Sequence, residues 1–134
     1  MFLLLSPDKT LNEIQQSFSS KYPFLKLEFY KLQNNDPALA VKKHLSHSLT
    51  LKAAGLKGNG LIDINNDMTV AELERIFLQQ FGINAQVSRK SGILWLETTM
   101  TDKWTLQKQN EHGREITASA LKSRWNDGDR EMSR

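Results

Sequence analysis

The sequence predicts an α+β protein built from two tandem units, each running strand–helix–strand(–strand)–short helix around one shared core. Three observations predict it. The stretch NNDMTVAELERIFLQQFG, residues 65 to 82, reads as a capped amphipathic helix. A second version, SPDKTLNEIQQSFSSKYP, lies 59 positions earlier. Short alternating apolar runs flank both versions, as strands would.

The first unit spans 1–59. FLLLS (2 to 6) reads as a strand. Asp8 and Thr10 then offer side-chain oxygens to the unpaired N–H groups of a helix start, with Glu13 placed for a capping box. Leu11, Ile14, Phe18 and Tyr22 form its apolar stripe. Leu25, Leu27 and Phe29 alternate at the strand period. The following QNNDPALAVKKHLSHS admits two readings: a helix opened by Asp36-Pro37, or an edge strand over Ala38 to Val41. SLTLKAAG enters a short helical segment, and Gly55 to Gly60 form a connector.

The second unit spans 60–116. LIDIN matches FLLLS, and Asp67, Thr69, Val70, Glu72, Leu73, Phe77 and Phe81 repeat the capped helix. Gly82 suits the left-handed conformation that ends a helix. NAQVSRK and ILWLETT form a hairpin meeting at Ser91-Gly92, and KWTLQKQN echoes SLTLKAAG. Phe18, Phe77 and Phe81 are the expected shared core. Residues 117–134 are polar, are interrupted at Asn126-Asp127-Gly128, and read as a flexible C-terminal tail.

The pattern D-x-T-V-x-E-L-x-x-x-F, with an apolar strand before it and a hairpin after it, resembles ubiquitin-like β-grasp domains. The likeness covers 60 to 113 best and repeats weakly over 2 to 55. It implies a helix laid across a mixed sheet. Each unit lacks the first strand of the β-grasp opening hairpin. The chain ends in Glu-Met-Ser-Arg rather than a diglycine, so conjugation is not implied. The doubled T-x-x-E-x-x-F helix also resembles small bacterial proteins of unknown function with tandem repeats, which implies architecture and no activity.

The chain has 134 residues, 39% hydrophobic and 25% charged, the proportions of a soluble globular protein. With no cysteine, thiolate chemistry and disulfides are excluded. MFLLLSPDK lacks the leading charge and apolar length of a signal peptide. No run reaches the roughly 20 apolar residues of a membrane span, so a cytoplasmic location is the expectation.

Catalytic motifs are missing: no G-x-S-x-G, P-loop or H-E-x-x-H occurs, and capping accounts for Asp8, Glu13, Asp67 and Glu72. The sequence therefore assigns no catalytic, cofactor or metal residues and predicts a protein that is not an enzyme. His44 and His47 have the spacing of a helical metal pair but no evident third ligand. Gly55-Leu-Lys-Gly58-Asn-Gly60 precedes a strand rather than a helix, which argues against a phosphate loop.

The leading functional expectation is a protein–protein interaction module. Ile93 and Trp95 point to one side of ILWLETT, Leu94 and Leu96 to the other. A strand apolar on both faces is either covered twice or offers one face to a partner. Trp104 presents the same alternatives. The second expectation is a nucleic-acid or polyanion surface. Net charge is only +3, but residues 37–62 contain no acid and carry Lys42, Lys43, Lys52 and Lys57, with Arg89 and Lys90 on the hairpin. The segment has neither arginine nor aromatic residues for base reading or stacking.

Overall fold

The alternating apolar runs pair antiparallel, and they pair across the two halves. β1 (Phe2–Leu5) lies against β4 (Gly60–Asp63), with Leu3 opposite Ile62. β2 (Leu25–Gln33) lies against β5 (Asn84–Ser91), with Leu27 opposite Val87 and Glu28 opposite Gln86. β3 (Val41–His44) and β6 (Leu94–Glu97) flank this pair, giving a four-stranded sheet in the order β3-β2-β5-β6. The computed structural model describes residues 1–34 and 36–132.

Each half supplies the order strand–helix–strand–strand. Leu3 and Ile62 stand 59 positions apart and face one another; Glu28 and Gln86 stand 58 apart and do the same. Matching positions thus meet at the middle of both sheets, as they would in a two-fold-related pair. α1 (Leu11–Lys21) packs on β2, and α2 (Val70–Phe81) packs on β5.

The helix starts follow capping chemistry, with one correction. Thr10 Oγ1 accepts from Glu13 N at 3.2 Å, and Thr69 Oγ1 accepts from Glu72 N at 3.1 Å. Glu72 returns the bond to Thr69 N at 3.3 Å, so the capping box is complete in α2. The threonines are the caps; Asp8 and Asp67 are not. Asp67 instead donates its backbone N–H to Asn65 Oδ1 at 3.1 Å. At the far end of α2, Gly82 takes φ 69, where a side chain would strain the backbone.

The stripes of both helices enter one apolar cluster drawn from both halves. Phe18 and Phe77 are wholly buried and Phe81 is buried. The Phe77 ring meets Phe29 of β2 edge-on with centroids 5.7 Å apart, and Phe18 meets Tyr22 at 5.3 Å.

The segment with two readings contains a little of each. Asp36 Oδ1 accepts from Ala38 N at 3.0 Å and opens a single 3-10 turn, Pro37–Leu39, with proline at its start. The chain then extends as β3, which pairs with the far end of β2.

The two Thr-Leu entries occupy matching places. Thr50 bridges Thr10, Thr105 bridges Thr69, and Leu51 and Leu106 are both wholly buried. They then diverge. After Leu51 the turn closes at Gly55, whose φ is 100. After Thr105 the chain runs on as α3 (Leu106–Met132), a helix of 27 residues rather than a short one.

Residues 117–132 of the segment expected as a tail thus continue α3, and 133–134 lie outside the described residues. Asn126-Asp127-Gly128 does not interrupt the helix. Its N-terminal half docks on the sheet through polar groups and a glycine, which carry no apolar periodicity. Thr117 is buried and accepts from Gly92 N at 3.2 Å. A Cβ on Gly113 would lie 2.9 Å from Arg89 Cγ and 3.0 Å from Phe24 Cβ, so glycine permits the close approach.

Candidate functional site

Three places concentrate polar chemistry or exposed apolar surface: the β6 edge, the junction of α3 with β5, and a cleft beside α1. Gly92, at φ 67, begins the tight connection from Ser91 to Leu94, and this sends β6 back along β5. β6 lies outside the helices, and its apolar side chains remain largely in solvent. Ile93 is 73% exposed, Leu94 62%, Leu96 44% and Trp95 37%. Met100, in the 3-10 turn Thr99–Thr101 that follows, is 96% exposed.

Trp95 lies on the sheet face turned away from the core, opposite Lys90, with Lys26 Nζ 5.0 Å above its ring. The structure does not bring Trp104 to this surface. Trp104 packs against α3, with His112 perpendicular at 5.3 Å and Lys108 Nζ at 4.2 Å. Arg89 approaches it from β5, at 5.8 Å.

The cations assigned to a polyanion surface are dispersed. Lys42 Nζ donates to Gln86 Oε1 at 2.9 Å and faces Glu97 at 3.7 Å, so its charge is matched. Lys43, next along β3, points to the opposite face. Lys52 sits in the turn after Thr50, with its backbone N–H on the Pro7 carbonyl at 3.1 Å. The Lys57 methylenes run beside Gly82. Lys90 shares the outer sheet face with Lys42, Lys26, Glu28 and Glu97. Arg89 turns inward: Nη1 donates to buried Gln109 at 2.8 Å, and burial lowers the guanidinium pKa. Arg89 is therefore a structural cation, held by α3.

Glu74, on α2, has a role that its sequence position does not announce. β5 extends past the end of β6, and the buried Val87 backbone there needs partners other than a strand. Its N–H donates to Glu74 Oε2 at 2.9 Å; its carbonyl accepts from Thr98 N at 3.2 Å and Oγ1 at 2.9 Å. Desolvation raises the Glu74 pKa most, and Asp102 and Glu97 add to the rise; the Val87 bond and Lys42 oppose it.

The folded chain therefore holds this proton to higher pH than the unfolded chain does. Stability falls as pH rises from the ordinary glutamate range through the folded value, and stays lower above it. Glu74→Gln keeps an acceptor for Val87 and removes the titration. Melting curves between about pH 4 and pH 8 then favour the variant increasingly as pH rises. Parallel curves for the two proteins would show that Glu74 ionisation is not disfavoured by the fold.

In the first half, the corresponding edge opens into a cleft of about 650 Å³. Asn12, Gln15, Gln16 and Ser19 of α1 form one wall; Lys26, Glu28 and Phe29 of β2 form the floor, and residues 44–47 close the end. Gln15 Nε2 donates to the Leu27 carbonyl at 2.8 Å, and Ser19 Oγ donates to the Leu25 carbonyl at 3.0 Å. Glu28 faces Lys26 Nζ at 2.9 Å and His44 Nδ1 at 3.6 Å. His44 ends β3 and His47 lies in the loop beyond, so they do not share a helix face. No group of three or more metal-ligating side chains clusters among the described residues.

Sequence reasoning overlooked Gln15, Glu74 and Gln109. The first two are 59 positions apart beside the apolar stripes, so the matched spacing of the two helices was the available signal. No helix among the described residues is long and apolar enough to cross a membrane. No family model, curated protein or solved structure matches the chain.

Proposed function

We propose that this protein arose by doubling of a strand–helix–strand–strand unit and serves as a non-enzymatic interaction module, with β6 as its docking edge. The observation that carries the reading is the state of β6. It is the last strand of its sheet, and Ile93, Leu94, Leu96 and Met100 stand exposed along it and just beyond it.

The register tells which backbone groups are free. Thr98 bonds Val87 directly, so the alternating ladder turns Leu96 and Leu94 toward β5 and leaves the N–H groups of Trp95 and Glu97 pointing outward. A partner strand adding there gains main-chain hydrogen bonds from these groups and apolar contact from the leucines. An unpaired edge with apolar side chains is otherwise a hazard for self-association.

Two variants of the full chain test this. Trp95→Ala removes the side chain, and Trp95→Pro deletes an outward donor at an edge position where proline is tolerated. Affinity purification from lysate followed by a solution binding assay is expected to show the captured protein weakened by both. Retention of every captured protein by both variants would move the docking surface elsewhere.

The polyanion alternative keeps a simple test. Duplex or single-stranded nucleic acid bound at low salt and released as salt rises would support it. The pairing of Lys42 and the inward turn of Arg89 leave that reading with fewer free charges than the sequence suggested.

A further inference from the structure

We infer that the cleft beside α1 is a binding site for a free carboxylate, and that the second half of the chain displays the mode of binding. At Val87 the strand edge is closed by the protein's own carboxylate, Glu74, while the Val87 carbonyl accepts from the Thr98 backbone. The matching residue of the first half is Phe29, 58 positions earlier. Its carbonyl accepts from Leu45 N at 2.9 Å, just as that of Val87 accepts from Thr98.

The other half of the arrangement is absent. The helix residue matching Glu74 is Gln15, and its amide donates to the Leu27 carbonyl. The ladder turns the backbone groups of Phe29 away from β5, as the bonds Lys90 N to Phe24 O and Leu45 N to Phe29 O show, and among the described residues no loop, cap or side-chain acceptor meets its N–H, although Phe29 is only 2% exposed. A buried N–H without an acceptor is unfavourable, and water or a ligand relieves it. The Phe29 ring packs on Phe77 in the core, so what Phe29 offers the cleft is its backbone edge.

The surroundings suit an anion. Asn12 and Gln16 supply neutral donors along the wall, and His47 stands at the end. Glu28 is the only carboxylate lining the cleft among the described residues, and Lys26 and His44 face it, so its charge is matched within the wall. The ligand class is a molecule with a free carboxylate, from a small organic acid or from a peptide C-terminus. Its oxygen takes at Phe29 N–H the place that the Glu74 oxygen holds at Val87 N–H. Such charge-assisted bonds to backbone N–H are the stronger kind.

The test is an amide NMR titration of the ¹⁵N-labelled full chain. The probes are N-acetylglycine, the acetylated tripeptide Ala-Ala-Gly with a free C-terminus, and the C-terminal amide of each. The Phe29 amide resonance is expected to move downfield and saturate with a free acid, and the matching amide to bind about tenfold more weakly. Equal response to both acids assigns the site to any free carboxylate; response to the peptide acid alone assigns it to a chain terminus. Gln15→Glu installs the second-half arrangement. Its Phe29 amide should begin at the shifted position and ignore both acids, with its fold visible in the same spectra. An unmoved Phe29 amide in the unaltered chain, equal binding of acids and amides, or unaltered binding by Gln15→Glu would each overturn the assignment.

Discussion

Phe77→Ala and Phe18→Ala each lower the unfolding free energy by about 3–5 kcal/mol. One ring comes from each half, and both are wholly buried. Removing either takes a large apolar surface out of the core and leaves a cavity that the neighbouring strands cannot close. Phe77 also loses its edge-on contact with Phe29, which comes from the other half. Because a single cluster joins the halves, each variant shifts one cooperative urea transition to a lower midpoint with little change in slope. Unchanged midpoints in both variants would remove these rings from the core.

Gln109→Leu is expected to cost about 2–3 kcal/mol, through hydrogen bonding rather than volume. Gln109 is wholly buried. Its Oε1 accepts from Arg89 Nη1, and its Nε2 donates to the Thr101 carbonyl and Oγ1, all at 2.8 Å. Leucine fills a similar space but leaves the guanidinium short of an acceptor. Arg89 Nε already has no partner among the described residues, so the cation has little in reserve. Adding Arg89→Met removes the demand itself. The double variant should therefore be more stable than Gln109→Leu alone, and this sign separates a polar requirement from simple packing. Urea melts of the three proteins measure it; a double variant weaker than the single one would show that Arg89 is stabilising on its own account.

Much of this fold is written in local chemistry. Thr69, Glu72 and Gly82 mark the ends of α2 because capping and left-handed turns depend on a few neighbouring residues. Leu25, Leu27 and Phe29 announce β2 through alternation, and the two helical stripes announce the core. The α3 dock was hidden for a physical reason: it rests on Gln109, Gly113 and Thr117, which make polar bonds or permit close approach and so leave no apolar period. The long helix hid behind Asn126-Asp127-Gly128, whose weak helical preference is a local signal only.

The candidate sites divide in the same way. Ile93 and Trp95 were readable as a two-faced strand, and both are exposed. Trp104 and Arg89 looked equally available, but they face each other across α3 and β5, a contact that no spacing in the sequence reports. Gln15 and Phe29 meet their neighbours only after α1 folds onto β2, so the cleft between them was invisible until the strands were paired.

The central claim is that two like units fold as one body and leave the outer edge of β6 unpaired. Native-state hydrogen exchange on the full chain addresses both parts together. The slowest amides of β1, β2, β4 and β5 should share one opening free energy across the two halves, while the Trp95 and Glu97 amides exchange fast. Two separate opening energies, one for residues 1–59 and one for 60–116, or slow exchange at Trp95 and Glu97, would contradict it.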